Sequence, residues 1–276
     1  MSKTKTSDKV ESLFAAIAIP VLLVAAVIIY MFVLGDKANF VGGDPANHPV
    51  EDGIRHVLGL VYKGGFIVPI LLALVLINIT FSIERLLTVT KAKGKGSNQI
   101  FVRKIKQLLD SNAIDEAISQ CDKQRGSLAN VVKSALIKYK TIEHDNTIDK
   151  EGKILSVQKE IEEATSLELP MLEKNLVIIS TLASVSTLVA LLGTVLGMIK
   201  AFSALASAGS PDSVALANGI SEALINTALG IANSALAIIL YNFFTTSIDK
   251  ITYAIDEAGF SITQTFAAST HNISKA

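Results

Sequence analysis

Four long apolar segments determine what this chain can fold into, because each is long enough to cross a lipid bilayer. A membrane-crossing helix needs about 20 mostly apolar residues. Half of all residues are hydrophobic and only 18% are charged, which is typical of an integral membrane protein with a modest soluble part. The sequence predicts spans at residues 13–34, 66–83, 176–202 and 214–245.

Lysines and arginines predict how these spans are oriented. Several of these basic residues precede the first span, and many follow the second span. The link 203–213 between the third and fourth spans has none. Because positively charged segments stay on the cytoplasmic side, we predict that both termini and the middle segment are cytoplasmic. The predicted order is a tail (1–12), an N-terminal anchor (13–35), a periplasmic loop (36–64), a second transmembrane helix (65–84), a helical cytoplasmic segment (85–175), the third and fourth transmembrane helices (176–245) and a C-terminal helix or tail (246–276).

The composition and motifs exclude several classes of function. The net charge is zero, so no basic field recruits nucleic acid. The one cysteine, Cys121, cannot form an internal disulfide, and it is interpreted as a small apolar residue of a soluble helix. The histidines His48 and His56 match no metal-ligand spacing, and the loop around them is interpreted as a solvated polar loop. We find no catalytic constellation, so the sequence predicts neither an enzyme nor a metal or other cofactor.

The middle segment alternates charged and apolar residues at helical spacing, which predicts a helical hairpin or small bundle. The third and fourth helices exceed the length that a bilayer requires and are expected to extend beyond it. The predicted fold class is therefore an all-α membrane protein with four transmembrane helices and a small helical cytoplasmic domain.

The third span carries small and hydroxyl side chains at steps of three and four residues, which form one stripe along a helix. Small residues let membrane helices approach closely, and packing of this kind accounts for Ala183, Ala190, Gly197 and Ala201. The hydroxyls of Thr187 and Thr194 favour a second role, the lining of a polar cavity, although a threonine also bonds to its own helix backbone.

Glu222 is the only acidic or basic residue in the fourth span. A carboxylate at membrane depth costs about 2.5–3.5 kcal/mol on insertion scales, and such residues are usually functional. At about 100° per residue, Asn226 and Asn233 share its helix face. Gly230 lies beside this face and Thr227 at its flank. The pattern favours proton or ion handling over the alternative, a structural hydrogen bond from a protonated Glu222.

Two motifs resemble the MotA/TolQ/ExbB proton-channel family, and ExbB most closely. They are LLGTVLGMIKAF at residues 191–202 and ISEALINTALG at residues 220–230. Glu84-Arg85, at the end of the second span, is similar to a Glu-Arg pair of the family. The resemblance covers the second to fourth spans and the segment between them.

The chain departs from the family pattern in three respects. Thr187 and Leu236 stand where the family usually has prolines, so the helix kinks caused by those prolines are expected to be absent or moved. The extra N-terminal span is outside the common three-span pattern.

The resemblance implies a homopentamer in the bacterial inner membrane. Its channel core, 176–245, would surround an ExbD-like dimer of single-span chains, and proton flow would drive a TonB-like protein. Glu222, Thr194 and Thr227 would be the polar residues of the pore, and an aspartate of the ExbD-like chain would carry the proton. Two alternatives stay open: a TolQ-like or gliding or flagellar stator subunit, and a non-conducting scaffold that clusters partner helices.

Overall fold

The structure is a computed structural model that describes residues 2–143, 145, 147–206 and 212–273. Within these residues the chain is built from helices and has no β-strand, only an isolated antiparallel bridge between Phe40 and Pro49. The prediction of an all-α protein is confirmed. The α-helices are α1 (Ser2–Ile29), α2 (Gly53–Tyr62), α3 (Val68–Lys93), α4 (Asn98–Asp110), α5 (Ile114–Gln124), α6 (Ser127–Glu143), α7 (Lys150–Glu173), α8 (Leu176–Leu205) and α9 (Ser213–Ile273).

Four stretches of helix among the described residues are long and apolar enough to cross a membrane. They contain the second, third and fourth spans expected from the sequence and most of the first, and the predicted membrane protein with four transmembrane helices is confirmed. The first stretch is Ala16–Leu34, which ends in one turn of π-helix, Tyr30–Leu34. Helix α9 continues without a break from the fourth span to Ile273. Both α8 and α9 therefore pass through the positions of the two missing prolines as continuous helices.

Two boundaries differ from those expected. The predicted N-terminal tail is helical from Ser2, since no glycine or proline precedes Pro20 to stop the helix. The loop 36–64 is not wholly irregular, because it contains α2. Apolar residues recur every three or four positions in this short helix, and its polar flanks mask the pattern. The centre of the predicted link 203–213 lies outside the described residues.

One compact unit comprises Met1–Ser82 and Ile178–Tyr241. Its apolar centre includes Ile67, Leu71 and Ala190, so the second and third spans pack together there. The end of the N-terminal span that leads into the loop 36–64 is anchored by a contact between aromatic rings. The ring of Tyr30 stacks on the ring of Tyr62 at a centroid distance of 4.7 Å.

The other compact unit comprises Ile83–Val177 and Asn242–Ala276. Helix α6 packs on both α5 and α7, and Tyr139 meets Phe266 edge to face at 4.4 Å between ring centroids. The apolar residues that recur at helical spacing in the middle segment are largely buried. They include Ile105, Leu109, Val131, Val132, Ala135 and Leu136, and Leu108 is half-buried.

Cys121 gives a first prediction. Its thiol is buried on α5, and burial, with a smaller contribution from the charge of Asp122, raises the pKa to about 12. The thiolate is the reactive form, so at pH 8 the thiolate population is lower than for an ordinary cysteine by roughly three orders of magnitude. We expect a thiol reagent to label the native protein at least about a hundredfold more slowly than the denatured protein. Equal labelling rates would contradict the burial of this side chain.

Candidate functional site

Helices α8 and α9 lie so close together that glycines take the place of side chains along their contact. A Cβ atom on Gly197 would lie 2.8 Å from both the Ala223 nitrogen and the Gly219 carbonyl oxygen. A Cβ atom on Gly219 would lie 2.7 Å from the Ala201 nitrogen. Both positions therefore require glycine, and the small residues hold the two backbones together.

The remaining small residues predicted to pack lie along the same contact. A side chain on Gly230 would collide with Ala190. The carbonyl oxygen of Ala183 accepts a hydrogen bond from the hydroxyl of Ser234. The contact between the two helices thus extends from their ends beside the link 203–213 towards the middle of the predicted membrane.

The carboxylate of Glu222 forms an ion pair with Lys200 of α8. The ammonium nitrogen of Lys200 donates to both carboxylate oxygens, at 2.7 and 2.8 Å. The Glu222 side chain is only 11% exposed, whereas that of Lys200 is 53% exposed. The carboxylate is therefore enclosed by protein on most sides, and the cation on it remains open to the surroundings.

The turn that leads into α3 forms the wall behind Glu222. Gly65 has φ +76°, a conformation that favours glycine, and a Cβ there would collide with the carboxylate. Phe66 follows, and its ring centroid lies 6.0 Å from the Lys200 nitrogen. This turn also lies close in sequence to Tyr62, whose carbonyl oxygen accepts a hydrogen bond from the Tyr30 hydroxyl at 3.3 Å.

Thr194 and Thr227 bring their hydroxyl oxygens to within 2.5 Å of each other. Each oxygen also lies 3.1 Å from a carbonyl oxygen one turn earlier in its own helix, that of Ala190 for Thr194 and that of Ala223 for Thr227. Two hydroxyl protons thus serve three contacts, so the donor of the bond between the two threonines can be exchanged when both hydroxyls rotate together. Thr187, on the same stripe of α8, is half-buried.

Two asparagines of α9 lie inside the unit. Asn226 donates to the carbonyl oxygen of Gly64 at 2.9 Å. Asn233 accepts from Asn78 of α3 at 2.9 Å and donates to Ser186 of α8 at 2.8 Å. These amides link three spans. The Oδ1 atoms of Asn78 and Asn226 have no partner among the described residues, and a polar position of this kind can hold a water molecule.

Sequence reasoning missed two residues that the structure places here. Lys200 lies within the predicted third span, where a basic residue is as unusual as an acidic one in the fourth span. A search for oppositely charged residues on adjacent spans would have paired it with Glu222. Asn78 is the one amide in the second span, and the same kind of search for polar residues in apolar spans would have found it.

The second unit contains a buried charge at the end of α7. Arg85 is 2% exposed and forms an ion pair with its neighbour Glu84. Its guanidinium also donates to the carbonyl oxygens of Met171 and Leu172, at 3.3 and 3.1 Å. Asn175 adds a hydrogen bond to Glu84 at 3.3 Å. The Glu-Arg pair therefore satisfies the last carbonyl groups of α7, where the helix has no donors of its own.

Comparison with known proteins identifies the family. Residues 123–257 match the model of the MotA/TolQ/ExbB proton channel family. The chain is 30% identical over 208 residues to a biopolymer transport protein ExbB of Pseudomonas putida, an alignment that covers 72% of this chain and 61% of that protein. The chain belongs to the MotA/TolQ/ExbB proton channel family.

Other relatives in the MotA/TolQ/ExbB family carry both names. A Tol-Pal system protein TolQ of Haemophilus influenzae is 38% identical over 88 residues, covering 32% of this chain and 39% of that protein. A putative ExbB homolog of Methanothermobacter thermautotrophicus is 24% identical over 201 residues, covering 73% of this chain and 67% of that protein. The chain thus spans less than two thirds of the length of the Pseudomonas and Haemophilus relatives.

The segment matched by the MotA/TolQ/ExbB family contains the whole α8–α9 contact. Thr194, Thr227, Lys200 and Glu222 all lie within it. The N-terminal span and the Gly64-Gly65 turn lie outside it. The family is one of proton channels and membrane transport proteins, not of enzymes, and this chain is a multi-pass membrane protein.

Proposed function

We propose that the chain is an ExbB-like subunit of a proton-driven motor in the bacterial inner membrane. The observation that carries this proposal is the pairing of the Thr194 and Thr227 hydroxyls on adjacent spans, within the segment that matches the family. Glu222, on the same helix as Thr227, supplies a charge closer to the start of α9.

The energetics suit a motor of this kind. One proton that crosses a potential of 100 mV releases about 2.3 kcal/mol. A proton path needs polar groups that order water or hold a carboxylate in a place where lipid would exclude both. The Thr194–Thr227 pair can donate to such a group, and its hydroxyls can reorient when the group changes its protonation state.

The proposed assembly is a homopentamer around an ExbD-like dimer of single-span chains. Apolar side chains on α8 and α9 are exposed in the single chain, which leaves a large surface for other copies, for partner helices and for lipid. They include Leu188, Leu192, Val195, Ile199, Leu224, Ile231 and Ile239. In this proposal the ExbD-like chain supplies the aspartate that carries the proton, and a TonB-like protein receives the work for transport across the outer membrane.

The proposed orientation has both termini in the cytoplasm. The distribution of lysine and arginine supports it, because the link between α8 and α9 has none of these residues. In this orientation α2 and the Gly64-Gly65 turn face the periplasm, and protons reach the Glu222–Lys200 pair before they reach the threonines.

A TolQ-like role in envelope maintenance is the second candidate. The specific observation in its favour is the 38% identity to a TolQ protein over 88 residues. The two roles share the same proposed channel chemistry and differ in the single-span partner and in the protein that receives the work.

Proton flux tests the proposal. The chain is purified together with an ExbD-like single-span protein, reconstituted into liposomes, and exposed to a potential and a pH gradient. We expect proton uptake from the complex and roughly tenfold less from liposomes that hold this chain alone, because the carrier carboxylate is then missing. An intact complex that conducts no protons would favour the non-conducting scaffold.

A further inference from the structure

The Glu222 carboxylate is already paired with a cation of the same chain, the ammonium group of Lys200. We propose that Lys200 is the residue that makes the pathway select protons over alkali cations: its ammonium group occupies the position that Na⁺ or K⁺ would otherwise take at Glu222. This inference rests on the proposed function, because it concerns which ion the pathway carries.

A carboxylate in this place would otherwise attract metal cations. Rings of acidic side chains select cations in channels, and carboxylate oxygens are preferred ligands of hard metal ions. Glu222 is enclosed on most sides, so a cation bound there would be held in a site of low dielectric constant, where charge attraction is strong. In a symmetric oligomer every subunit would repeat the site.

The ammonium of Lys200 contacts both oxygens of this carboxylate, at 2.7 and 2.8 Å. It neutralises the charge of Glu222 and occupies the position between the two oxygens in which a metal ion would bind both of them. Being covalently tethered, it is present at an effective concentration far above that of a free ion.

The backbone around the pair fixes this arrangement. Gly197 and Ala201, on either side of Lys200, pack against Gly219 and Ala223, on either side of Glu222. Lys200 and Glu222 thus project from helices that touch at their backbones. The Gly65 turn blocks the carboxylate from behind, so Glu222 cannot withdraw from the ammonium in that direction.

Proton passage does not require this carboxylate to be free. Protons move along hydrogen-bonded water and side-chain carboxyl groups, whereas Na⁺ needs several oxygen ligands at once. A tethered positive charge in a pore raises the barrier for protons as well as for metal cations, so the selectivity proposed here comes from occupation of the metal-ligand position at Glu222 and not from charge repulsion. The pair therefore removes the best alkali-ion site and leaves the threonine hydroxyls and the carboxylate of the partner to the proton.

Thermal melting of the purified full-length oligomer tests the inference without any partner or flux. Na⁺ is compared with a large organic cation at constant ionic strength and constant pH. We expect no Na⁺-specific shift for the wild type or for Lys200→Arg, which keeps a tethered cation. Lys200→Met frees the carboxylate and is expected to melt about 2–4 °C higher in Na⁺.

The double variant Lys200→Met/Glu222→Gln is the matched control. It removes both charges and is expected to lose the Na⁺-specific shift, which identifies Glu222 as the ligand of the ion. In the co-reconstituted complex, we expect Lys200→Met to raise the Na⁺ permeability relative to protons by roughly tenfold or more, as measured from the reversal potential under a Na⁺ gradient.

Two results would overturn the inference. One is a Na⁺-specific melting shift of the wild-type oligomer, which needs no variant to fold. The other is an intact Lys200→Met oligomer that melts and conducts like the wild type in Na⁺. Failure of the proposed function is a different result, the absence of proton flux from the wild-type complex, and it leaves the melting experiment unaffected.

Discussion

Glu222→Gln is expected to reduce proton flux through the complex by at least about tenfold. The substitution preserves the shape of the side chain but leaves the ammonium of Lys200 without its counter-charge. The repulsion raises the free energy of a proton about 8 Å from an unpaired ammonium by roughly 2 kcal/mol at an effective dielectric constant of about 20. A barrier of that size lowers the rate by more than a factor of ten. The measurement is proton uptake into liposomes that hold the variant and its single-span partner.

The controls for Glu222→Gln separate lost charge from lost assembly. The mass of the oligomer is measured first, since an incomplete complex would conduct poorly for another reason. Lys200→Met/Glu222→Gln removes both charges, and we expect it to recover a large part of the flux because no unpaired ammonium remains. Full flux through an intact Glu222→Gln complex would remove Glu222 from the pathway.

Arg85→Ala has the largest expected effect on stability. The guanidinium is fully buried, pairs with Glu84, and donates to the carbonyl oxygens of Met171 and Leu172. Its removal leaves a mostly enclosed carboxylate and the end of α7 without donors. Breaking a buried pair by removing one partner typically costs about 3–5 kcal/mol. We therefore expect the melting temperature of the purified protein to fall by roughly 10 °C.

Arg103→Ala is a matched control for this prediction, because Arg103 is an exposed arginine on α4. A surface substitution of this kind usually changes stability by no more than about 0.5 kcal/mol. Arg85→Lys keeps the charge but cannot reach all three acceptors with one ammonium, so we expect an intermediate loss. An Arg85→Ala protein with the melting temperature of the wild type would show that the Glu84–Arg85 pair does not contribute to stability.

The length and apolarity of the spans were enough to predict their number from the sequence. Their ends were harder to predict, because helices continue wherever no residue stops them. Helix α9 continues through Asp249 and Lys250 to Ile273, whereas the sequence left open whether the segment after residue 245 is a helix or a tail. Helix α2 was missed because ten residues between polar flanks give too short a periodic signal.

The candidate site was only partly visible in the sequence. Helical spacing placed Glu222 with Asn226 and Asn233, but spacing within one helix cannot show which neighbouring helix each face meets. The structure gives the asparagines buried partners within the unit and directs Thr227, expected at the flank, towards Thr194. Lys200 was overlooked because its importance depends on an ion pair with Glu222 of another helix, and spacing within one helix does not reveal such a pair.

Water access at Thr194 tests the central claim, that the face of α8 and α9 carrying the threonines lines a proton pathway. Thr194→Cys is compared with Leu192→Cys, which lies about 200° around the same helix and is exposed in the single chain. The buried Cys121 contributes little background. With a water-soluble thiol reagent and the reconstituted complex, the account predicts that Thr194→Cys reacts roughly tenfold faster or more. Equal rates, or faster reaction at Leu192→Cys, would contradict it.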